Sequence, residues 1–233
     1  MVINLKEYEK IIKSIIKGFL VYSLFKLSVY FQYIPIILFK IDINSISNKT
    51  QVILSTFSSI IVLILLTLIY YKSLKEEFKI FKNNFLKNID IGFKCWIIGL
   101  LIMITSNLIL LTIFKAGGAN NENIVQTMIK ALPWLMIIDA GLIAPFNEEI
   151  VFRKTLKDIF TNKWIFVIVS FLIFGSIHVI GSATTLTDYL YIIPYGALGG
   201  AFAYAYYKTD TVFTSIFLHM FHNTTLTLLS IFL

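Results

Sequence analysis

The chain has 233 residues, of which 58% are hydrophobic and only 14% charged, with a mean hydropathy of +0.82. A soluble domain carries about a quarter charged residues, so this composition excludes an ordinary soluble fold and points to a polytopic membrane protein. The net charge of +7 comes almost wholly from lysine. That suits attraction to anionic headgroups in a lipid bilayer; no RNA- or DNA-binding motif appears, and nucleic acid is not an expected partner. A single cysteine, Cys95, rules out an internal disulfide framework.

In chain order, the N-terminal stretch mixes Glu7 and Glu9 with lysines and lacks a small-x-small cleavage pattern. The first apolar segment is therefore expected to remain as a span rather than leave as a signal peptide. Residues 5–17 alternate lysine with isoleucine, either as a helix on the membrane surface or as the cytosolic extension of span one. Span one covers residues 18–39, with Lys26 inside it and Pro35 near its exit. Span two, residues 52–71, ends in a tyrosine pair. Residues 72–94 then carry an apolar stripe at Leu74, Phe78, Phe81, Phe85 and Ile89, which predicts an amphipathic helix in the headgroup region.

Span three is placed at residues 95–114, followed by a loop through the glycines and asparagines of 116–123. Span four starts near Ala131, and spans five, six and seven at residues 164–180, 189–207 and 211–233. The expectation is an all-α polytopic bundle of about seven spans plus one or two interfacial amphipathic helices. Residues 1–130 form its N-terminal part and 131–233 its functional core. Lysine and arginine cluster at Lys6 to Lys17, Lys72 to Lys94, Arg153 to Lys163 and Lys208, against Lys40, Lys49, Lys115 and Lys130 on the other side. The positive-inside rule then puts the N-terminus in the cytoplasm. The lysine, isoleucine and asparagine bias points to a bacterial plasma membrane.

Three segments carry chemistry. Asn147-Glu148-Glu149-Ile150-Val151-Phe152-Arg153 holds two adjacent carboxylates and the sole arginine; His178 lies in span five; His219, His222 and Asn223 lie in span seven. Ionisable groups inside a bilayer are costly, so they are functional candidates that satisfy one another. His178 lies about 21 Å along span five at 1.5 Å per residue. For the three segments to meet, helix four must run on past Phe146 to about Asp158, with a kink at Pro145 that frees a carbonyl near the site. Asp139 either lines the same cavity or faces water near the outer mouth, the second being favoured.

Glu149 and Arg153, four apart, share a helix face, while Glu148 is turned by about 100°. A glutamate among apolar side chains holds a proton more tightly than one in water, which suits a general base near neutral pH. Histidine and asparagine can donate to a developing oxyanion. Glu148, His178 and His219 are also the ligand types of zinc, but the HExxH spacing is absent and no cofactor is required. Taken singly, each residue has a plainer reading: a structural ion pair, or histidines that bridge helices. Gly196-x-x-x-Gly200 is a close-packing pattern.

Glu148-Glu149-x-x-x-Arg153, Phe174-x-x-x-His178 and His219-x-x-x-Asn223, in this order, resemble the CPBP family, which includes type II CAAX prenyl endopeptidases and bacterial Abi and bacteriocin-immunity relatives. The resemblance covers residues 132–224. It implies an intramembrane endopeptidase that cuts a membrane-associated peptide or protein tail. Glu148 would activate water with His178, and His219 and Asn223 would support the oxyanion. Glu149 and Arg153 would hold the architecture or the substrate. The family is commonly labelled metalloprotease, so zinc stays open. The alternative is a non-catalytic immunity or interaction protein that binds a bacteriocin or partner in the membrane. A proton-coupled transporter is a third reading, which would predict internal repeats that are not evident.

Overall fold

A computed structural model describes residues 5–233 of the chain. Residues 1–4, on which part of the signal-peptide expectation rests, lie outside the described residues. The fold is all-helical: α1 (Leu5–Leu27), α2 (Tyr33–Leu38), α3 (Asn48–Asn83), α4 (Phe85–Thr112) and α5 (Asn120–Ala131) precede a segmented helix over 133–159. That helix joins α6 (Pro133–Ile138), α7 (Ala144–Glu149) and α8 (Thr155–Ile159) through π-helical turns at Asp139–Ile143 and Ile150–Lys154. The chain closes with α9 (Lys163–Val179), α10 (Ile192–Thr209) and α11 (Val212–Phe232).

Among the described residues, three stretches are long and apolar enough to cross a bilayer unaided: Tyr8–Leu38, Asn48–Asn83 and Phe85–Thr112. Their outward faces are rows of exposed Ile, Leu and Phe, as a lipid-facing surface requires. The C-terminal helices are shorter or more polar. They pack among the long ones.

The structure moves three sequence boundaries. Residues 5–17 are not a separate surface helix, because α1 continues unbroken to Leu27. The stretch 72–94 is likewise not a free interfacial helix. It is shared between the end of α3 and the start of α4, broken at Asn84, and its stripe meets protein: Phe78 and Phe81 lie 5.1 and 6.2 Å from the Phe213 ring, and Phe85 lies 6.4 Å from Phe217. An amphipathic period reports that one face is apolar and cannot tell lipid from a partner helix. Finally, the polar stretch read as loop contains α5, whose apolar face packs Ile129 beside Val52 and Met136.

Small residues let the last helices approach closely. A Cβ on Gly199 would sit 2.8 Å from the Phe174 Cβ, so α9 and α10 pack at a distance only glycine permits there. At the lysine-rich end, Glu77 of α3 ties four elements together. Its Oε1 accepts from the Tyr206 hydroxyl (3.0 Å) and faces Lys154 Nζ (3.2 Å), while its Oε2 accepts from the Val212 backbone N–H (2.7 Å). Asp158 takes the same ammonium at 2.7 Å.

Candidate active site

Pro145 explains how the segmented helix is built. The π-helical turn Asp139–Ile143 closes with the Ala144 N–H on the Asp139 carbonyl, a five-residue step. The next donor in that register would be residue 145, and proline has none. The Ala140 carbonyl it leaves free accepts from Asn223 Nδ2 at 3.0 Å, and the Gly141 carbonyl accepts from the Thr224 hydroxyl at 3.2 Å. One missing hydrogen thus fixes where α11 crosses. The helix then continues past Phe146 to Ile159, so Glu148 and Glu149 lie within it and between its two π-turns.

Glu149 and Arg153 are fully buried. Glu149 Oε1 lies 3.1 Å from Arg153 Nη1 and 2.8 Å from His219 Nδ1. The guanidinium is off the linear hydrogen-bond geometry, and its flat face instead lies over Phe174, 4.0 Å from the ring centroid. Beside a carboxylate, His219 Nδ1 carries the proton and donates it, which turns Nε2 toward Glu148. The gap from Nε2 to Glu148 Oε2 is 3.8 Å, too long for a direct hydrogen bond. Glu148 Oε2 is buried without a protein hydrogen-bond partner, so the carboxylate is held in place yet unspent.

His178 is the second-last residue of α9, with its Nδ1 on the Phe174 carbonyl at 2.9 Å. That bond leaves Nε2 free. Its ring stacks on Tyr195 (centroids 4.8 Å, 22°) and rests on Phe174 (4.4 Å); Phe174 in turn meets His219 edge-on at 5.6 Å. Glu148, Glu149, Arg153, His178 and His219 therefore share one cluster centred on the Phe174 ring, with Asn223 one turn further along α11 than His219.

The placement of Asp139 differs from the sequence expectation. Asp139 does not face water: it is 7% exposed, with Oδ2 accepting from Thr56 of α3 at 3.1 Å. Its carboxylate stands between α3 and the π-turn, where a hydropathy reading of α6 alone could not put it. His222 packs edge-on against Trp96 at 6.3 Å, away from Glu149. Glu148, His178 and His219 carry zinc-type donors, but among the described residues no three His, Cys, Asp or Glu side chains converge closely enough to hold a metal ion. The donor set does not fit zinc in this arrangement. Sequence reasoning also passed over Tyr195, Phe202 and Thr224. Their only signal is tertiary: Phe202 lies 5.1 Å from His219, a contact no spacing announces.

Residues 130–225 match the family of type II CAAX prenyl endopeptidases described as Rce1-like. Over that segment the chain is similar to membrane peptidases of this type. A protein of Bacillus subtilis (strain 168) described as "Putative membrane peptidase YdiL" is 32% identical over 109 residues. That alignment covers 46% of this chain and 41% of the relative, so the chain matches less than half of the relative's length. No solved structure gives a significant match.

Proposed function

We propose that the protein is an intramembrane endopeptidase. The observation that carries this reading is the half-buried Glu148 carboxylate, whose enclosed Oε2 has no protein hydrogen-bond partner and faces a histidine whose other nitrogen is anchored. Glu148 takes a proton from a water molecule, and the hydroxide adds to the scissile carbonyl. His178 Nε2, free because Nδ1 is tied to Phe174, orients that water. When His219 carries both protons it donates from Nε2 to the oxyanion; with Glu148 now protonated, Glu149, Arg153, His219 and the oxyanion then sum to zero. A balanced set suits a low-dielectric site. Glu148 returns its proton to the leaving amine.

The second N–H of Asn223 completes the oxyanion side, the first being spent on Ala140. That commitment favours one rival reading: Asn223 as a purely structural tie in a non-catalytic immunity or interaction protein, which binds a bacteriocin or another partner in the membrane. Substrates of the enzyme are peptide segments of membrane-associated proteins. They enter from the lysine-rich end, which lies in the cytoplasm of a bacterial plasma membrane together with the N-terminus.

The test is peptide cleavage by the purified protein in vesicles. Glu148→Gln should reduce turnover by about 10³-fold or more, while Lys26→Ala leaves it unchanged. Turnover should persist in excess chelator, because the donor set does not form a metal site. Full activity in Glu148→Gln would end the catalytic reading in favour of the binding one.

A further inference from the structure

His178 is placed asymmetrically. It stands 15 residues from the start of α9 and one from its end, so the end away from the lysines is close by. There the helix stops at a turn through Gly181 (φ 102°), and a narrow crevice of about 10 Å³ opens beside the ring. Its lining includes His178, Ser182, Asn120, Asp188, Tyr191 and Ala183. A volume of about 10–15 Å³ holds one water. The Tyr191 hydroxyl is buried without a protein partner, and Tyr191 itself is 3% exposed.

The walls are braced. Asn120 Nδ2 donates to the Ser182 carbonyl (2.9 Å) and to Asp188 Oδ2 (3.3 Å), which links α5 to the turn after α9. Asp188 also accepts from the Thr184 and Thr185 backbone N–H groups at 2.7 and 2.9 Å. Those bonds pull its carboxyl down from 3.8 to about 2. A lowered pKa means the brace is complete above about pH 4 and weakens only as pH falls toward 2. Asp188 therefore keeps its charge, and these bonds their acceptor, at neutral pH.

We propose that this crevice is the route by which hydrolytic water reaches His178, entering from the lysine-poor face while the peptide enters elsewhere. The inference rests on the proteolytic reading, since each cleavage consumes one water, adding OH to the acyl carbon and H to the leaving nitrogen. Tyr191, Ser182 and Asn120 offer such a molecule hydrogen bonds along the crevice.

Two variants test it, both in a Cys95→Ala chain reconstituted in vesicles. Ala183→Phe should plug the crevice and lower kcat at least tenfold with KM unchanged. Ser182→Cys should be modified by the membrane-impermeant, permanently charged (2-trimethylammonium)ethyl methanethiosulfonate only from the lysine-poor face, and modification should stop turnover. Unchanged kcat after plugging, or labelling only from the lysine-rich face, overturns the route. Labelling also reads the crevice in Glu148→Gln, so a chain that proves to lack protease activity is distinguished from one whose water enters another way. If Ala183→Phe fails to fold, the labelling result alone decides.

Discussion

Glu149 and Arg153 give up all contact with water, and each recovers only part of that cost from the other. Removing one partner from such a pair leaves an uncompensated charge, so Arg153→Ala should lose about 3–5 kcal/mol, read as a lower unfolding temperature in detergent. Replacing both, as Glu149→Leu with Arg153→Met, removes both desolvation costs and should restore most of that stability. The restored protein should still be slow. His219 Nδ1 loses its acceptor, the ring is free to take the wrong tautomer, and turnover should fall by about 10²–10⁴-fold. A double variant that regains both stability and full turnover would show that the carboxylate does nothing but balance the arginine.

The segmented helix makes its argument at the scale of the element. A regular α-helix over 133–159 would satisfy every internal carbonyl and offer none to α11. The π-turn and Pro145 together leave Ala140 for Asn223, so a defect in one helix sets the register of another. Pro145→Ala supplies the missing N–H and competes for that carbonyl. Helix stability should change little or rise, because proline inside a helix costs about 3 kcal/mol relative to alanine. Turnover should drop as Asn223 loses its anchor, with kcat affected more than KM. Equal kcat in the two proteins, measured on the same peptide, removes the link from Pro145 to the site.

On the scale of the whole molecule, the lysine-rich end is held by Glu77, which reaches the segmented helix, α10 and the start of α11 from α3. These contacts are mostly enclosed: the side chains of Glu77 and Lys154 are 12% and 7% exposed. The nearby pair Lys157–Asp210 looks similar at 2.9 Å, but Asp210 is 78% exposed. Screening by water reduces such a pair to a fraction of a kcal/mol. Glu77→Ala should therefore lower stability by about 3 kcal/mol, through the Tyr206 hydroxyl and Val212 N–H it leaves unpaired and the loss of one of the two carboxylates on Lys154. Asp210→Asn should change it by less than about 0.5 kcal/mol. Thermal unfolding of the two variants side by side checks the contrast. Similar losses would mean that exposure does not rank these contacts.

Composition and hydropathy were enough to determine an all-helical membrane protein, because a bilayer admits few ways to satisfy a backbone. The order of the three motifs was enough to mark the resemblance, and the depth of the histidines along their helices was enough to predict a helix that runs past the glutamates. The sequence could not say what each apolar face meets. The phenylalanine stripe of 72–94 lies partly against Phe213 and Phe217, and Asp139 lies under Thr56 rather than at a wet mouth. Nor could it tell that Glu149 is the fully buried carboxylate and Glu148 the unspent one, since adjacent glutamates are identical as letters. That distinction arises only when α9, α10 and α11 close around Phe174. Burial and pairing are properties of neighbours brought from far along the chain, and local spacing carries no record of them.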